Sequence, residues 1–195
     1  MKDNLQNEIG QGLRDGLPIG LGYFAVAFSL GITAKLAGIS PVQGFISSFL
    51  NHASAGEFAL ISLIGARASY MEIAATIFIT NMRYLLMGAA LSQKIAPGTG
   101  MLKRVAVGFG VTDEIFALAM ARKGWLSVAY ILSAFFLADL MWSLGTAIGI
   151  IAGNVLPALL VSALGVAIYG MFLAIIIPPA KEDRTIELIV LISFL

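Results

Sequence analysis

The sequence predicts an all-α protein: a polytopic helical bundle embedded in a membrane, with about six to seven spans and at least one broken helix. Of its 195 residues, 59% are apolar and 12% are charged, whereas soluble domains are typically about 45–50% apolar and about 25% charged. Apolar runs recur at about the 20-residue length that crosses a bilayer, and polar residues interrupt several of them. The lipid bilayer is therefore the main solvent, and a water-soluble enzyme domain or a disordered tail is excluded.

The charge balance and the residue counts exclude several other classes. Twelve Lys and Arg against eleven Asp and Glu leave a net charge of +1, so a nucleic-acid partner is not predicted. With no cysteine and a single histidine, neither a metal site nor another cofactor is expected. No nucleophile–base pair is visible, so no catalytic residue is predicted and the chain is not expected to be an enzyme.

Residues 1–17 carry apolar side chains at four-residue spacing, namely Leu5, Ile9, Leu13 and Leu17. This pattern predicts a short helix lying in the headgroup region, with a frayed polar tail as the alternative. The rest of the chain, residues 18–195, is predicted to form a single transmembrane transport domain.

Six apolar runs in that domain are predicted to cross the membrane: Pro18–Leu36, Pro41–Ala66, Tyr70–Leu91, Met101–Ala121, Trp125–Ala152 and Val155–Ile177. Pro18 is expected in a first helical turn, where proline is favoured. The fourth run is the weakest because it carries two acids in its middle. The final run, Ile186–Leu195, is too short to cross, and we expect it to begin another helix whose remainder lies outside this sequence.

The distribution of Lys and Arg predicts the orientation. If all six runs cross, seven of these residues lie on the N-terminal side and four on the other, which favours a cytoplasmic N-terminus. The prediction depends on the fourth run, because without it four of the seven would change sides.

The most polar interruption is the segment 51–57, which reads NHASAGE between two apolar stretches. We expect a helix broken near the middle of the membrane, with its freed backbone groups facing a substrate cavity. The predicted substrate-binding residues here are Asn51, Ser54, Gly56 and Glu57. The alternative is a continuous helix that packs its small face on a neighbour.

Asn81 and Arg83 lie near the centre of the third run and complete the predicted substrate-binding set. The Arg83 guanidinium is always charged, so it needs a substrate anion or a carboxylate. The alternative to a binding role is an internal ion pair with Asp113, Glu114 or Asp139.

Four residues are predicted to couple transport to protons: His52, Glu57, Asp113 and Asp139. Asp113 and Glu114 project about 100° apart on a helix and cannot share one direction, although they could also mark a solvated helix start. Asp139 lies on a strongly apolar helix, where a carboxyl group without a partner favours its protonated form. An uncharged structural aspartate would look the same.

Glycines spaced by four predict close helix packing rather than chemistry. They are Gly145, Gly149 and Gly153 in the fifth run, and a further cluster of Gly12, Gly16, Gly20 and Gly22 lies around the first.

Two motifs link the chain to a known family. Residues 81–87 read NMRYLLM and residues 112–117 read TDEIFA. They resemble the Asn-Leu-Arg-[His/Tyr]-Leu-Leu-Met and Thr-Asp-Glu-x-Phe-Ala motifs of the AzlC family, the larger subunit of branched-chain amino acid exporters. The Gly- and Pro-containing opening (residues 12–31) and the loop 38–43 (GISPVQ) are also similar to that family.

The chain departs from the family at two places. Where the family commonly has Tyr-Ala-Gly-Ala-x-Gln-Phe, residues 52–58 read HASAGEF, and residues 165–167 (GVA) lack the acid of its Leu-Asp-Phe-Ala segment. The resemblance thus supports transport better than the identity of the cargo.

The resemblance implies proton-driven secondary export of branched-chain or similar hydrophobic amino acids across the inner, cytoplasmic membrane. It also implies a small AzlD-like membrane subunit as partner. A channel for small solutes and a non-transporting membrane scaffold for a small partner are the alternatives.

Overall fold

The computed structural model describes residues 2–153, together with Arg184, Leu188 and Ile192. The predicted span Val155–Ile177 and most of the run Ile186–Leu195 lie outside the described residues. Eight helices form the described part: α1 (Lys2–Leu36), α2 (Pro41–Asn51), α3 (Ser54–Gly65), α4 (Tyr70–Asn81), α5 (Arg83–Lys94), α6 (Met101–Phe109), α7 (Asp113–Ala121) and α8 (Val128–Ala152). The predicted helical membrane bundle with broken helices is confirmed.

Helix α1 is one continuous helix of 35 residues. Residues 2–17 run into the first span without a break, and Pro18 lies inside the helix rather than in a first turn. The early part of α1 is held by contacts with later parts of the chain, including a 2.8 Å hydrogen bond from Tyr130 Oη to Asp15. That residues 1–17 lie in the headgroup region stays a prediction. By length and composition, α1 from Leu5 onward and α8 can each cross a membrane.

Helices α1 and α8 lie side by side in the same direction. A Cβ added to Gly16 would lie 2.8 Å from Cα of Ala134, and one added to Gly145 would lie 2.6 Å from the carbonyl oxygen of Phe24. Residue numbers thus rise together along both helices, so their starts share one end of the bundle. We call this end the N-terminal end and the opposite one the far end. The close packing predicted from the spaced glycines is confirmed.

Helices α2 and α3 form the first hairpin, which enters from the far end and returns to it. Ser48 Oγ and Glu57 Oε1 are 2.7 Å apart although nine residues separate them, a distance of about 13 Å along a straight helix. A Cβ added to Gly65, at the end of α3, would lie 3.4 Å from Cβ of Ala37, which follows α1. The predicted break is confirmed, but the run Pro41–Ala66 folds back instead of crossing.

Helices α4 and α5 cross the bundle from the far end to the N-terminal end. They meet at Met82 with a bend of 41°, and together they are long and apolar enough to make one broken span. This pair corresponds to the predicted third run.

Helices α6 and α7 form the second hairpin, which enters from the N-terminal end. Arg104 in α6 donates to the carbonyl oxygens of Ser92 and Ala96 at 3.1 and 2.9 Å, and Lys94 donates to the carbonyl of Met120 in α7 at 2.9 Å. The start of α6 and the end of α7 thus lie beside the end of α5. The run Met101–Ala121 therefore also turns back, and its nine-residue arms span about 13 Å each, less than half of a 30 Å hydrocarbon core.

The two hairpins change the distribution of basic residues between the ends. Over residues 2–153, seven Lys and Arg lie at the N-terminal end: Lys2, Arg14, Lys94, Lys103, Arg104, Arg122 and Lys123. The far end has Lys35 and Arg67, and Arg83 lies between the ends. Lys94, Lys103 and Arg104 thus change sides relative to the expectation from six crossings, and so does Arg67.

Candidate functional site

The tips of the two hairpins meet midway between the ends of the bundle. His52 follows α2 and Phe109 ends α6, and their ring centroids are 4.5 Å apart at an interplanar angle of 90°. The middles of α1 and α8 lie at the same level, since His52 also contacts Asp139 of α8. The predicted break at residues 51–57 therefore lies beside a second break, between α6 and α7, that was not predicted.

A small cavity lies between these tips. Its volume is about 20 Å³, measured as the space open to the centre of a water molecule, which is room for one or two waters. An amino acid does not fit in it. Its lining comes from the two tips and from α1, α5 and α8: Tyr23, His52, Ser54, Tyr84, Thr112, Asp113, Glu114, Phe135, Asp139 and Trp142.

His52 forms the turn between α2 and α3. Its φ of 48° and ψ of 22° are left-handed, a conformation that costs about 1–2 kcal/mol for a residue with a side chain. Nδ1 lies 2.9 Å from Asp139 Oδ1, and the two side chains are 5% and 4% exposed. Nε2 is buried and has no hydrogen-bond partner in the described part of the chain.

Glu57 is fully buried in the first turn of α3. Ser48 lies 2.7 Å from Oε1, and the indole N–H of Trp142 donates to Oε2 at 2.7 Å. The Ser48 hydroxyl also lies 2.8 Å from the hydroxyl of Thr146 in α8. Glu57 is thus enclosed by neutral hydrogen-bonding groups, and it lies behind Trp142 rather than on the cavity wall.

Asp113 and Glu114, the first two residues of α7, have different partners. Asp113 pairs with Arg83 at 2.8 Å, which selects one of the three acids considered for this arginine. Glu114 accepts a hydrogen bond from the Tyr23 hydroxyl, which also lies 2.7 Å from Thr112 Oγ1. The expected divergence of the two acids is confirmed, and the helix start on which they lie is inside the bundle.

The remaining predicted residues are divided between the cavity and its surroundings. Ser54, the first residue of α3, lines the cavity. Gly56 lies against Asn81, because a Cβ added there would be 2.8 Å from the Asn81 Oδ1 atom. Asn51 instead lines an open apolar groove that it shares with residues of α4, including Ile73, so the structure does not bring it to the cavity.

Sequence reasoning missed Tyr23, Ser48, Trp142 and Thr146. A tryptophan in the middle of a span is a usable signal, because Trp in membrane proteins favours the interfaces and its buried N–H needs a partner. The hydroxyls of Ser48 and Thr146 had no such signal, since Ser and Thr are common where membrane helices pack closely.

Comparisons with known proteins place the chain in a family. A family model described as AzlC protein matches residues 18–156. The inner membrane protein YgaZ of Escherichia coli K12 is 30% identical over 185 residues, covering 90% of this chain and 75% of the relative. An uncharacterized membrane protein of Archaeoglobus fulgidus is 31% identical over 173 residues, covering 88% of this chain and 75% of its own length.

No solved structure matches the chain. The family model, however, covers well over half of the sequence, including both hairpins, and both relatives are membrane proteins. The chain therefore belongs to the AzlC family and is a membrane protein.

Proposed function

We propose that the chain is a subunit of a secondary active exporter that moves branched-chain or similar hydrophobic amino acids across the cytoplasmic membrane, coupled to protons. The observation that carries the proposal is the convergence of charged residues on one cavity halfway through the bundle. Asp113 and Glu114 of α7 and Asp139 of α8 line this cavity, and Arg83 of α5 reaches it through its ion pair with Asp113. Ionisable groups at this depth are costly and are usually retained for function.

The cavity offers both charges that a zwitterion needs. The backbone N–H groups at the start of α3, beside Ser54, and the guanidinium of Arg83 suit a carboxylate. The carboxylate of Asp139 suits an ammonium group. Ser54, Gly56, Asn81 and Arg83 remain the proposed substrate-binding residues. Asn51 is left out because it lies in the outer groove, and Glu57 because it lies behind Trp142.

Substrate entry requires the hairpin tips to separate, because the closed cavity is smaller than leucine. The Arg83–Asp113 pair is the most exposed ionic contact around it, with side chains 39% and 26% exposed. The second hairpin is therefore the proposed mobile wall of the site.

Proton coupling is supported by an imbalance of charge. The middle of the bundle holds four carboxyl groups, those of Glu57, Asp113, Glu114 and Asp139, against one guanidinium, and residues 154–180 contain no charged residue. Four ionised carboxylates in a medium of low dielectric repel one another strongly. Some of them must bind protons, and a substrate ammonium can exchange with those protons.

The orientation of the proposed exporter follows from the basic residues. Over residues 2–153, seven Lys and Arg at the N-terminal end against two at the far end favour a cytoplasmic N-terminus. The second hairpin would then open to the cytoplasm and the first to the outside. The AzlD-like partner subunit implied by the resemblance completes the proposal.

The alternatives predict different measurements. A small-solute channel would give flux that neither saturates nor responds to the proton gradient. A non-transporting scaffold would bind a small partner subunit and leave efflux unchanged. We do not propose an enzymatic activity, and turnover of a lipid or peptide would contradict this.

The test is efflux of radiolabelled leucine, isoleucine, valine and methionine from cells that express the chain with and without an AzlD-like subunit. We expect saturable efflux that Arg83→Ala abolishes and Lys123→Ala, an exposed basic residue at the N-terminal end, leaves unchanged. Unchanged efflux of all four amino acids in the presence of the subunit would refute the exporter function.

A further inference from the structure

We infer that Glu57 is a proton-loading site served by the hydroxyls of Ser48 and Thr146, which act as positioning residues for that proton. The use of this proton in transport rests on the proposed function, whereas the site itself rests on the geometry of three side chains and one carbonyl. Neither hydroxyl was among the residues predicted to couple protons.

The hydroxyls of Ser48 and Thr146 each have a single hydrogen atom to donate. The Ser48 hydroxyl has one hydrogen but two close neighbours, Glu57 Oε1 at 2.7 Å and Thr146 Oγ1 at 2.8 Å. The Thr146 hydroxyl in turn lies 3.3 Å from the carbonyl oxygen of Trp142. Each hydroxyl donates to one neighbour at a time and accepts from another.

Two arrangements satisfy every group with the same heavy-atom positions. With Glu57 ionised, Ser48 donates to Oε1, Thr146 donates to Ser48, and the indole N–H of Trp142 donates to Oε2. With Glu57 protonated, Oε1–H donates to Ser48, Ser48 donates to Thr146, and Thr146 donates to the Trp142 carbonyl. The change between them forms one O–H bond on Oε1, with the proton taken from water, and rotates two hydroxyls.

The surroundings of Glu57 do not fix either protonation state. In the described part of the chain, none of the ion pairs includes Glu57. The ionisable groups that face this region are Asp139 on α8, His52 at the end of α2 and Tyr23 on α1, while α4 contributes the uncharged Asn81. A buried acid that stays ionised would need a fixed cation, whereas Glu57 has only neutral donors in direct contact.

The path has a direction. Ser48 precedes the tip of the first hairpin and Thr146 follows Trp142 on α8, so both lie between Glu57 and the far end. On the other side, Trp142 separates Glu57 from the cavity and lines it. The two hydroxyls therefore lie on the far-end side of the proton site, and a single indole separates the site from the cavity.

The direct test is infrared difference spectroscopy of the full chain in lipid bilayers between low and high pH. We expect a band of a protonated carboxyl group that Glu57→Gln removes. Ser48→Ala and Thr146→Val should shift the frequency of that band, and Ser48→Thr should restore it. Ser62→Ala is the matched control, because it removes an exposed hydroxyl from α3, the helix of Glu57. It should leave the carboxyl band unchanged.

A second measurement separates proton loading from substrate binding. Radiolabelled leucine is followed as net efflux driven by a proton gradient and as exchange at equal concentrations without a gradient. Ser48→Ala should lower net efflux about tenfold, the equivalent of one lost hydrogen bond to a charged group, and leave exchange unchanged. Equal loss of both activities, together with an unchanged carboxyl band, would show a merely structural role and overturn the inference.

The two proposals can fail separately. If leucine is not moved at all by the unmodified chain with its partner, the proposed exporter function fails, but the infrared band still decides whether Glu57 binds a proton. If Glu57→Gln leaves the difference spectrum unchanged, the proton site is refuted whatever the transport result.

Discussion

The two hairpins enter from opposite ends and meet at their tips, yet they are held in different ways. The first hairpin fixes its polar groups, His52 and Glu57, against Asp139 and Trp142 of α8 through contacts that are almost completely buried. The second hairpin is held by the buried Tyr23 hydroxyl, which contacts Thr112 and Glu114, and by the ion pair of Asp113 with Arg83, more than a third of whose side chain is exposed. The polar groups of the first tip are therefore almost completely covered by the chain, whereas the second tip combines a buried hydrogen bond with a partly exposed ion pair.

This difference indicates which hairpin moves. Breaking a buried pair leaves an uncompensated group in a medium of low dielectric. The first tip has two such contacts, His52–Asp139 and Glu57–Trp142, whereas the ion pair of the second tip is only partly buried. The first hairpin should therefore stay attached to α8 during transport, and the second should open first.

The comparison of the two hairpins would be wrong if either of them crosses the membrane. The chain contains no natural cysteine, so single cysteines can be labelled with a membrane-impermeant maleimide. Val42→Cys and Ala66→Cys, at the two ends of the first hairpin, should react from the same side of the membrane. Pro97→Cys and Lys123→Cys, around the second hairpin, should both react from the other side. Labelling of the two members of a pair from opposite sides would show a crossing.

Loss of the buried contact at the first tip should have the largest effect on stability. Asp139→Ala removes the partner of His52 Nδ1, whose Nε2 already has no hydrogen bond among the described residues. We expect the free energy of unfolding in mild detergent to fall by about 3 kcal/mol. His52→Asn, which can still donate to Asp139, is the control and should cost clearly less. Equal costs would mean that the pair does not anchor the tip.

The indole of Trp142 should contribute less to the free energy of unfolding than the His52–Asp139 pair does, but the contribution should still be measurable. Trp142→Phe keeps most of the ring and removes the donor to Glu57 Oε2. A buried acceptor without its donor costs about 1–3 kcal/mol, which thermal unfolding can detect. In the double variant with Glu57→Leu this cost should shrink, because the acceptor that needs the donor is gone. A full, additive cost would argue against the contact.

The ion pair of the second hairpin should have the smallest effect on stability. Asp113→Asn breaks the ion pair with Arg83, and we expect a smaller loss of stability than for Asp139→Ala, because this pair is less buried than the His52–Asp139 pair. The same variant should open the second hairpin. When it is combined with Tyr84→Cys on the cavity wall, the introduced cysteine should therefore be labelled faster than in Tyr84→Cys alone. Unchanged labelling together with a large loss of stability would reverse the assignment of the two hairpins.

Much of the first tip could be predicted from the sequence. Seven consecutive polar or small residues between two apolar stretches indicated a break, and the chain does break at His52. The fold-back could not be predicted, because a broken span and a hairpin have the same hydropathy. Only the approach of Ser48 to Glu57 separates them.

The second tip shows a different limit. The acids in the run Met101–Ala121 were recognised as unusual, but three carboxylates were equally suitable partners for Arg83. The choice of Asp113 depends on where α7 begins, at the N-cap Thr112, and on the bend at Met82 that directs Arg83 toward it. The assignment of basic residues to the two sides was wrong for Arg67, Lys94, Lys103 and Arg104. A hairpin that is taken for a crossing span moves the residues that follow it to the opposite side of the membrane.

The short arms of the hairpins have a consequence for biogenesis. The insertion machinery of the membrane selects segments by length and hydrophobicity, and arms of nine to twelve residues are too short to be accepted singly. We therefore expect α1, the α4–α5 pair and α8 to be integrated first. The hairpins would insert between these helices afterwards. By then α1 and α8 have packed against each other at their glycines, and the residues that contact the polar tips are in place.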